Sequence, residues 1–232
     1  GEGRTGKAGG RGVRTQRAGA ASGARQAGAA SGRGERVRGI GAAPGRSGRL
    51  GSMAVMVVPY SDEWPEQFER AATELRRALE GVPVLAIEHV GSTAVPGLAA
   101  KPVIDIDVVV ERAHVEGAIA ALIAAGYTHR GDLGVTDRES MAAPDDDPRR
   151  NVYVCVEGTL HLRNHLAVRA ILRDRDDLRD RYGAVKTELA RDPGMDIETY
   201  LALKSPVLQE VLALSDLTDA EKRAILALNT SF

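Results

Sequence analysis

The sequence predicts an α+β domain with a mostly helical C-terminal half. Three observations carry this. One amphipathic helical stretch follows Met53, short β-branched runs fill Val84 to Glu157, and apolar residues recur at helical spacing from His161 onward. Residues 1–52 follow a different rule. They hold 16 of the 26 glycines, with Val13, Val37, Ile40 and Leu50 as the only bulky aliphatics. Such a stretch cannot bury enough apolar surface to offset the entropy of ordering its backbone, so a disordered Gly/Arg/Ala-rich tail is expected. Twenty-six Arg against five Lys across the chain points to a GC-rich gene and an over-extended start, which puts the folded domain at 53–232.

The formal charge of −1 hides a split: 11 Lys+Arg and two Glu before Met53 give +9, and the remaining residues carry −10. A tail of arginines without interleaved aromatics offers no stacking platform, and the acidic domain argues against a nucleic-acid partner. A single cysteine excludes a disulfide framework and a Cys-based zinc cluster, and fits a reducing compartment. No apolar run approaches the ~18–20 residues of a membrane span, and the first residues lack the apolar stretch of a secretory signal. A cytoplasmic protein without membrane contact is expected.

Along the domain, Ser61-Asp62-Glu63 reads as a helix start, with Pro65 in the first turn. Trp64, Phe68, Ala71, Ala72, Leu75 and Leu79 then recur at helical spacing up to Gly81, and Trp64 reads as a core anchor. Val84–Val90 is a short strand running into a Gly-rich turn. Val103–Val110 is a β-branched strand, and Ala113–Ala125 a helix stopped by Gly126. Tyr127–Arg150 lacks periodicity and reads as short strand pieces with an acidic loop at Asp145–Asp147. Asn151–Glu157 is a further strand. Leu166, Ala170 and Ile171 mark one helix, and Leu178, Tyr182, Val185 and Leu189 the next. Pro193-Gly194 breaks it, a helix spans Ile197–Leu212, and Thr218-Asp219-Ala220-Glu221 is a capping box for the last.

The chemistry concentrates on Val103–Val110. A buried strand has no packing use for carboxylates, yet Asp105 and Asp107 occur at i and i+2 and so share a face. Two like charges there repel unless a cation lies between them, and paired hard oxygens suit Mg²⁺ or Mn²⁺. Upstream, Gly91-Ser92-Thr93 follows a strand and opens a short helix, a turn able to offer N–H groups and hydroxyls to a phosphate. It is neither a P-loop nor GxGxxG. His161 and His165 lie at i and i+4 on one helical face, a zinc-like spacing without the glutamate of the metalloprotease motif. Cys155, inside an apolar strand, reads as an inert packed thiol. The Arg/Asp alternation from Arg173 to Arg181 reads as a solvated helix face.

Gly91-Ser92, twelve intervening residues and Asp105-Ile106-Asp107 resemble the signature of polymerase-β-type nucleotidyltransferases. The wider wording, His89-Val90-Gly91-Ser92-Thr93-Ala94-Val95-Pro96-Gly97-Leu98 through Lys101-Pro102-Val103-Ile104-Asp105-Ile106-Asp107, is similar to the GrpB family, or UPF0157 group. So are Pro59-Tyr60…Trp64…Phe68, Gly126-Tyr127…Arg130-Gly131-Asp132-Leu133-Gly134, Arg163-Asn164-His165-Leu166 and Tyr182…Lys186. The resemblance implies a small mixed sheet with flanking helices and a metal-dependent transfer of a nucleoside monophosphate from an NTP to a small-molecule or protein acceptor. Asp105 and Asp107 would be the catalytic and metal-binding acids. Gly91, Ser92 and Thr93 would bind phosphate, and His89, Lys101, Arg163 and His165 the substrate. One departure stands out. A third carboxylate is usual on a neighbouring strand, and Val152–Val156 contains none, leaving Glu157, Asp132 or Asp145–Asp147 to fold back. The alternative is a nucleotide- or phosphometabolite-binding module without catalysis, linked to coenzyme A metabolism because the family also occurs fused to dephospho-CoA kinases.

Overall fold

The computed structural model describes residues 56–230, and the tail expected at 1–52 lies outside them. Helix α1, Glu63–Ala78, buries Trp64, Phe68, Ala71, Ala72 and Leu75 along one face. Ser61 Oγ accepts from the Glu63 N–H at 3.3 Å, and early Glu63 and Glu66 with late Arg76 and Arg77 complement the helix dipole. Five strands follow: β1 Ala86–Val90, β2 Ile104–Val110, β3 Thr128–His129, β4 Arg138–Ala142 and β5 Arg150–Val156. They form one sheet in the order β1-β2-β5-β4-β3. β2 runs parallel to β5 and the other pairs are antiparallel, so the sheet is mixed. Helix α2, Val115–Ala124, lies on the crossover between β2 and β5. A 3-10 turn at Arg112–His114 precedes it, where one continuous helix was expected.

Alternation along β2 divides the two faces. Ile104, Ile106, Val108 and Val110 pack with Val152, Val154 and Met141 against α1 and α2. Each such burial contributes roughly 1.5–3 kcal/mol. The opposite face carries Asp105 and Asp107, with Asn151 and Tyr153 beside them in register on β5.

Helices α3 Leu160–Asp174, α4 Asp176–Leu189, α5 Ile197–Ala213 and α6 Asp219–Thr230 make up the C-terminal half. A second core of Leu172, Tyr182, Val207 and Val211 binds α3–α5 to Val95 and Leu98, just beyond the Gly-Ser turn. The expected capping box is present: Glu221 Oε2 accepts from the Thr218 N–H at 2.8 Å, and Thr218 Oγ1 from the Glu221 N–H at 3.3 Å. The acidic loop has a structural task that its composition did not reveal. Asp145 takes two hydrogen bonds from Arg150, whose side chain is buried, while the Tyr127 hydroxyl accepts from the same guanidinium. Among the described residues, no helix is long and apolar enough to cross a membrane.

Candidate active site

β1 ends at Val90, and the chain turns through Gly91 at φ 70° and ψ −168° into the 3-10 turn Ser92–Ala94. Only glycine suits this position. A Cβ here would lie 2.3 Å from Oδ2 of Asp105. The turn is thereby pressed against the first acid of β2, which is the juxtaposition the sequence spacing predicts.

Asp105 accepts a hydrogen bond from Asn151 Nδ2 at 2.7 Å. Burial raises its carboxyl above the usual range, against the lowering effects of the Asn151 bond and His165, while Asp107 raises it further. Asp107 is fully buried. Its Oδ2 meets His165 Nδ1 at 2.8 Å, and its Oδ1 has no hydrogen-bond partner. From the helical side, Lys186 Nζ donates to Ser92 Oγ at 2.9 Å. Its ammonium is pushed well below the ordinary value, first by burial and then by Lys204. Lys101 and Lys204 both lie over the ring of one aromatic neighbour, Tyr200, at 4.6 and 5.4 Å from its centre. Burial, with Lys204 and Arg149, lowers Lys101 as well.

All of these groups except Arg149 and the buried Asp107 line two adjoining cavities, of about 530 and 150 Å³, which share Ser92, Asp105, Asn151 and Lys204. His165 lines the larger and Lys101 and Lys186 the smaller. Gly91, Ser92, Thr93, Asp105, Lys101 and His165 therefore line these cavities, and Asp107 joins them through its contact with His165.

Three of the expected residues have partners of their own. The Thr93 hydroxyl donates to the Val103 carbonyl at 3.3 Å and contacts His89 Nε2 at 3.0 Å, so the hydroxyl braces the turn while the residue lines the smaller cavity. His89 is buried and stacks on Phe68, ring centres 4.6 Å apart. Burial, then Arg173 and Arg169, lowers its pKa to about 4, so it is a neutral ring in the core. Arg163 donates to Glu221, the α6 capping glutamate, at 2.6 Å and lines neither of the two cavities.

The third carboxylate can also be located. Glu88 pairs in register with Asp107 across β1–β2, but Arg169 holds it at 2.7 Å and it lines a different cavity. Asp132 accepts from the Gly134 N–H, Asp145 holds Arg150, and Glu157 is exposed beyond β5. Among the described residues Asp105 is the only acid that lines the cavities of Ser92, Asp107 being fully buried. The β5 positions beside the two aspartates hold Asn151 and Tyr153. Sequence reasoning missed Asn151, Lys204 and the partnership of Lys186 with Ser92. The signal for Lys186 was present: a lysine four residues after Tyr182 falls on the apolar stripe of α4.

On α3, His161 and His165 pack with ring centres 3.9 Å apart. Burial, then His165 and Arg138, depresses His161 to about 2, so its imidazole is neutral. Arg138 stacks over Tyr153 at 4.6 Å.

The GrpB protein family matches residues 54–214, most of the chain. The chain belongs to the GrpB family. A UPF0157 protein of Halalkalibacterium halodurans is 35% identical over 167 residues, covering 71% of this chain and 84% of its own length. A dephospho-CoA kinase of Mycolicibacterium paratuberculosis is 33% identical over 178 residues, covering 66% of this chain; this GrpB-family chain spans only 44% of that protein. The crystal structure of the conserved protein GrpB from Enterococcus faecalis superposes at a TM-score of 0.60 and 32% identity, over 68% of this chain and 98% of that one. A mutant Cid1 poly(U) polymerase bound to MgATP aligns at 0.43 and 14% identity, over 71% and 54%. The mixed sheet with flanking helices and a helical C-terminal part is the architecture the resemblance implied.

Proposed function

We propose that this chain is a metal-dependent nucleotidyltransferase, passing a nucleoside monophosphate from an NTP to a hydroxyl of a small-molecule or protein acceptor. The observation that carries this reading is the Lys186–Ser92 contact at the Gly-Ser turn, with Asp105 on the wall of the same cavity. A phosphate chain seated there meets the Ser92 hydroxyl, turn N–H groups and the ammonium groups of Lys186, Lys204 and Lys101. An anionic ligand also offsets the lowering that burial imposes on the Lys186 ammonium.

The donor set fits Mg²⁺ or Mn²⁺. Two carboxylates share one face of β2, and a buried Asp107 oxygen lacks a partner. Asp105 and Asp107 would hold the ion, which when bound neutralises charge on the transferring phosphoryl group. The residues' own task is positioning: Asn151 fixes the Asp105 carboxylate and His165 that of Asp107. Phosphoryl transfer passes through a loose transition state and asks more of alignment than of a base, so two acids suffice for the reading.

A second reading has one observation in its favour. Asn151 and Tyr153 stand on β5 where a third acid would be, which suits a module that binds a nucleotide or phosphometabolite without transfer. The relative named dephospho-CoA kinase suggests coenzyme A precursors as its ligands. Titrating the protein with NTPs and dephospho-coenzyme A, with and without Mg²⁺, and then assaying pyrophosphate release against an acceptor panel that includes RNA, separates the two. Mg²⁺-dependent NTP binding with pyrophosphate release supports transfer. Binding without release supports the module, and binding of neither class of ligand sinks both.

A further inference from the structure

In and beside the cavities lies a set of buried polar atoms to which the nucleotide reading gives no partner. Five buried side-chain polar atoms lack a hydrogen-bond partner among the described residues, and four belong to Asp107 (Oδ1), Arg138 (Nε), His161 (Nε2) and Asn164 (Oδ1). Arg138, His161, Asn164 and His165 together line a cavity of about 680 Å³. An unpaired buried group carries its full desolvation cost, so a concentration of them on one wall calls for an occupant.

We propose that Asp107, His161 and His165 bind a divalent first-row transition-metal ion, zinc in the first instance, through one carboxylate oxygen and two imidazole nitrogens. One ligand atom from each of the three residues lies within 4.8 Å of the others. The i, i+4 spacing on α3 puts both imidazoles on one face, and β2 presents Asp107 to His165 at 2.8 Å. An ion seated there takes the place of the proton between His165 Nδ1 and Asp107 Oδ2 and gives the His161 imidazole a partner. Two nitrogen donors select against Mg²⁺, which keeps to oxygen, and favour zinc among the available ions. Three protein ligands leave a coordination position open, as catalytic rather than structural zinc sites do. Arg138 stands beside His161, and its positive charge favours an anion, hydroxide or a phosphate oxygen, in that open position.

This site overlaps the nucleotide reading: it takes Asp107 as a shared ligand and His165, which positions Asp107 there, and Arg138, Asn164 and His165 line both cavities. The test titrates the chelator-stripped full chain with Co²⁺ in the absence of nucleotide. One equivalent is expected to bind with the visible d–d bands of a low-coordinate ion. Zn²⁺ should displace it and excess Mg²⁺ should not. His161→Gln should lower Co²⁺ affinity by about tenfold or more, since losing even a group that only orients a metal ligand costs about that much. In the unmutated chain, Zn²⁺ should shift the ring ¹⁵N resonances of His161 and His165, a readout that does not depend on any variant folding. Absent cobalt bands, unmoved ring nitrogens, or a folded His161→Gln chain with undiminished affinity would each overturn the site. A wild type that ignores cobalt but binds MgATP removes this site and leaves the nucleotide reading. Cobalt binding that His161→Gln weakens, in a protein that never binds MgATP, upholds the site and sinks that reading.

Discussion

Lys186 can be used to separate stability from ligand binding. Its side chain is among the largest fully buried ones, with 2% exposure, and its near partners are the Ser92 hydroxyl at 2.9 Å and the Tyr182 ring at 4.5 Å. No carboxylate pairs with it among the described residues. Burial, reinforced by Lys204, pushes its ammonium well below 10.5. In the unfolded chain the same lysine holds its proton up to about that ordinary value. Between the folded value and 10.5 the unfolded state therefore binds more protons, so stability rises with pH across this window and falls as pH is lowered through it. One proton sets a ceiling of about 1.4 kcal/mol per pH unit. Lys186→Met keeps the length of the side chain and removes the ionisable group. Urea denaturation at pH 7 and pH 9 should show the advantage of the mutant shrinking, by at most about 3 kcal/mol over those two units. At pH 7 the ligand-free mutant should be more stable than wild type by about 1–4 kcal/mol, as when other buried charges are replaced by well-packed apolar groups. Stabilisation by MgATP should be lost in the same variant. A mutant that is less stable at pH 7, with the pH slope of wild type, would refute the reasoning and make Lys186 a charged structural anchor.

Other substitutions test separate parts of the site and fold. Gly91→Ala puts a Cβ 2.3 Å from the Asp105 carboxylate at a positive φ, and should cost about 2–4 kcal/mol in denaturant titrations; Gly81→Ala, at φ 84° with open space, should cost about 1–2. Burial raises the Asp105 carboxyl above its ordinary 3.8, so ionising it disfavours the folded state as pH rises through that window and above it. Asp105→Asn should leave the ligand-free melting temperature at pH 7 unchanged or higher and abolish Mg²⁺-dependent nucleotide binding; a lower melting temperature with binding intact would make the acid structural. Asp145→Ala removes the carboxylate from a guanidinium whose side chain is 1% exposed, and should cost about 1–3 kcal/mol by chemical denaturation, limited by the half-exposed Asp145 and by Tyr127 and Pro148 as remaining acceptors.

Residues close in sequence reported themselves, and residues joined only by topology did not. The helix at Glu63 was readable from one stripe of Trp64, Phe68 and Leu75, and the two acids of β2 from the conflict between carboxylates and a β-branched run. The Gly-Ser turn was readable because its distance from Asp105 is a chain property. Asn151 beside Asp105 was hidden, since that pairing depends on which strand becomes the parallel neighbour of β2. Arg163 was assigned to a phosphate because nothing local announces that Glu221, on another helix, claims it. The histidine pair at i, i+4 was visible, but its facing carboxylate comes from a strand 58 residues earlier.

Those separations have a kinetic consequence. Asp105 meets Asn151 across 46 residues of chain, Asp107 meets His165 across 58, and Ser92 meets Lys186 across 94. Each contact must first meet the entropy of closing a long loop, and the parallel β2–β5 ladder cannot zip from a hairpin. The chain should therefore fold slowly for its size, with the cavity forming in the last steps. Ligand binding then becomes a sensor of complete folding, because a collapsed intermediate with α1 packed and β5 undocked has the acids, the turn and the lysines but no place where they meet.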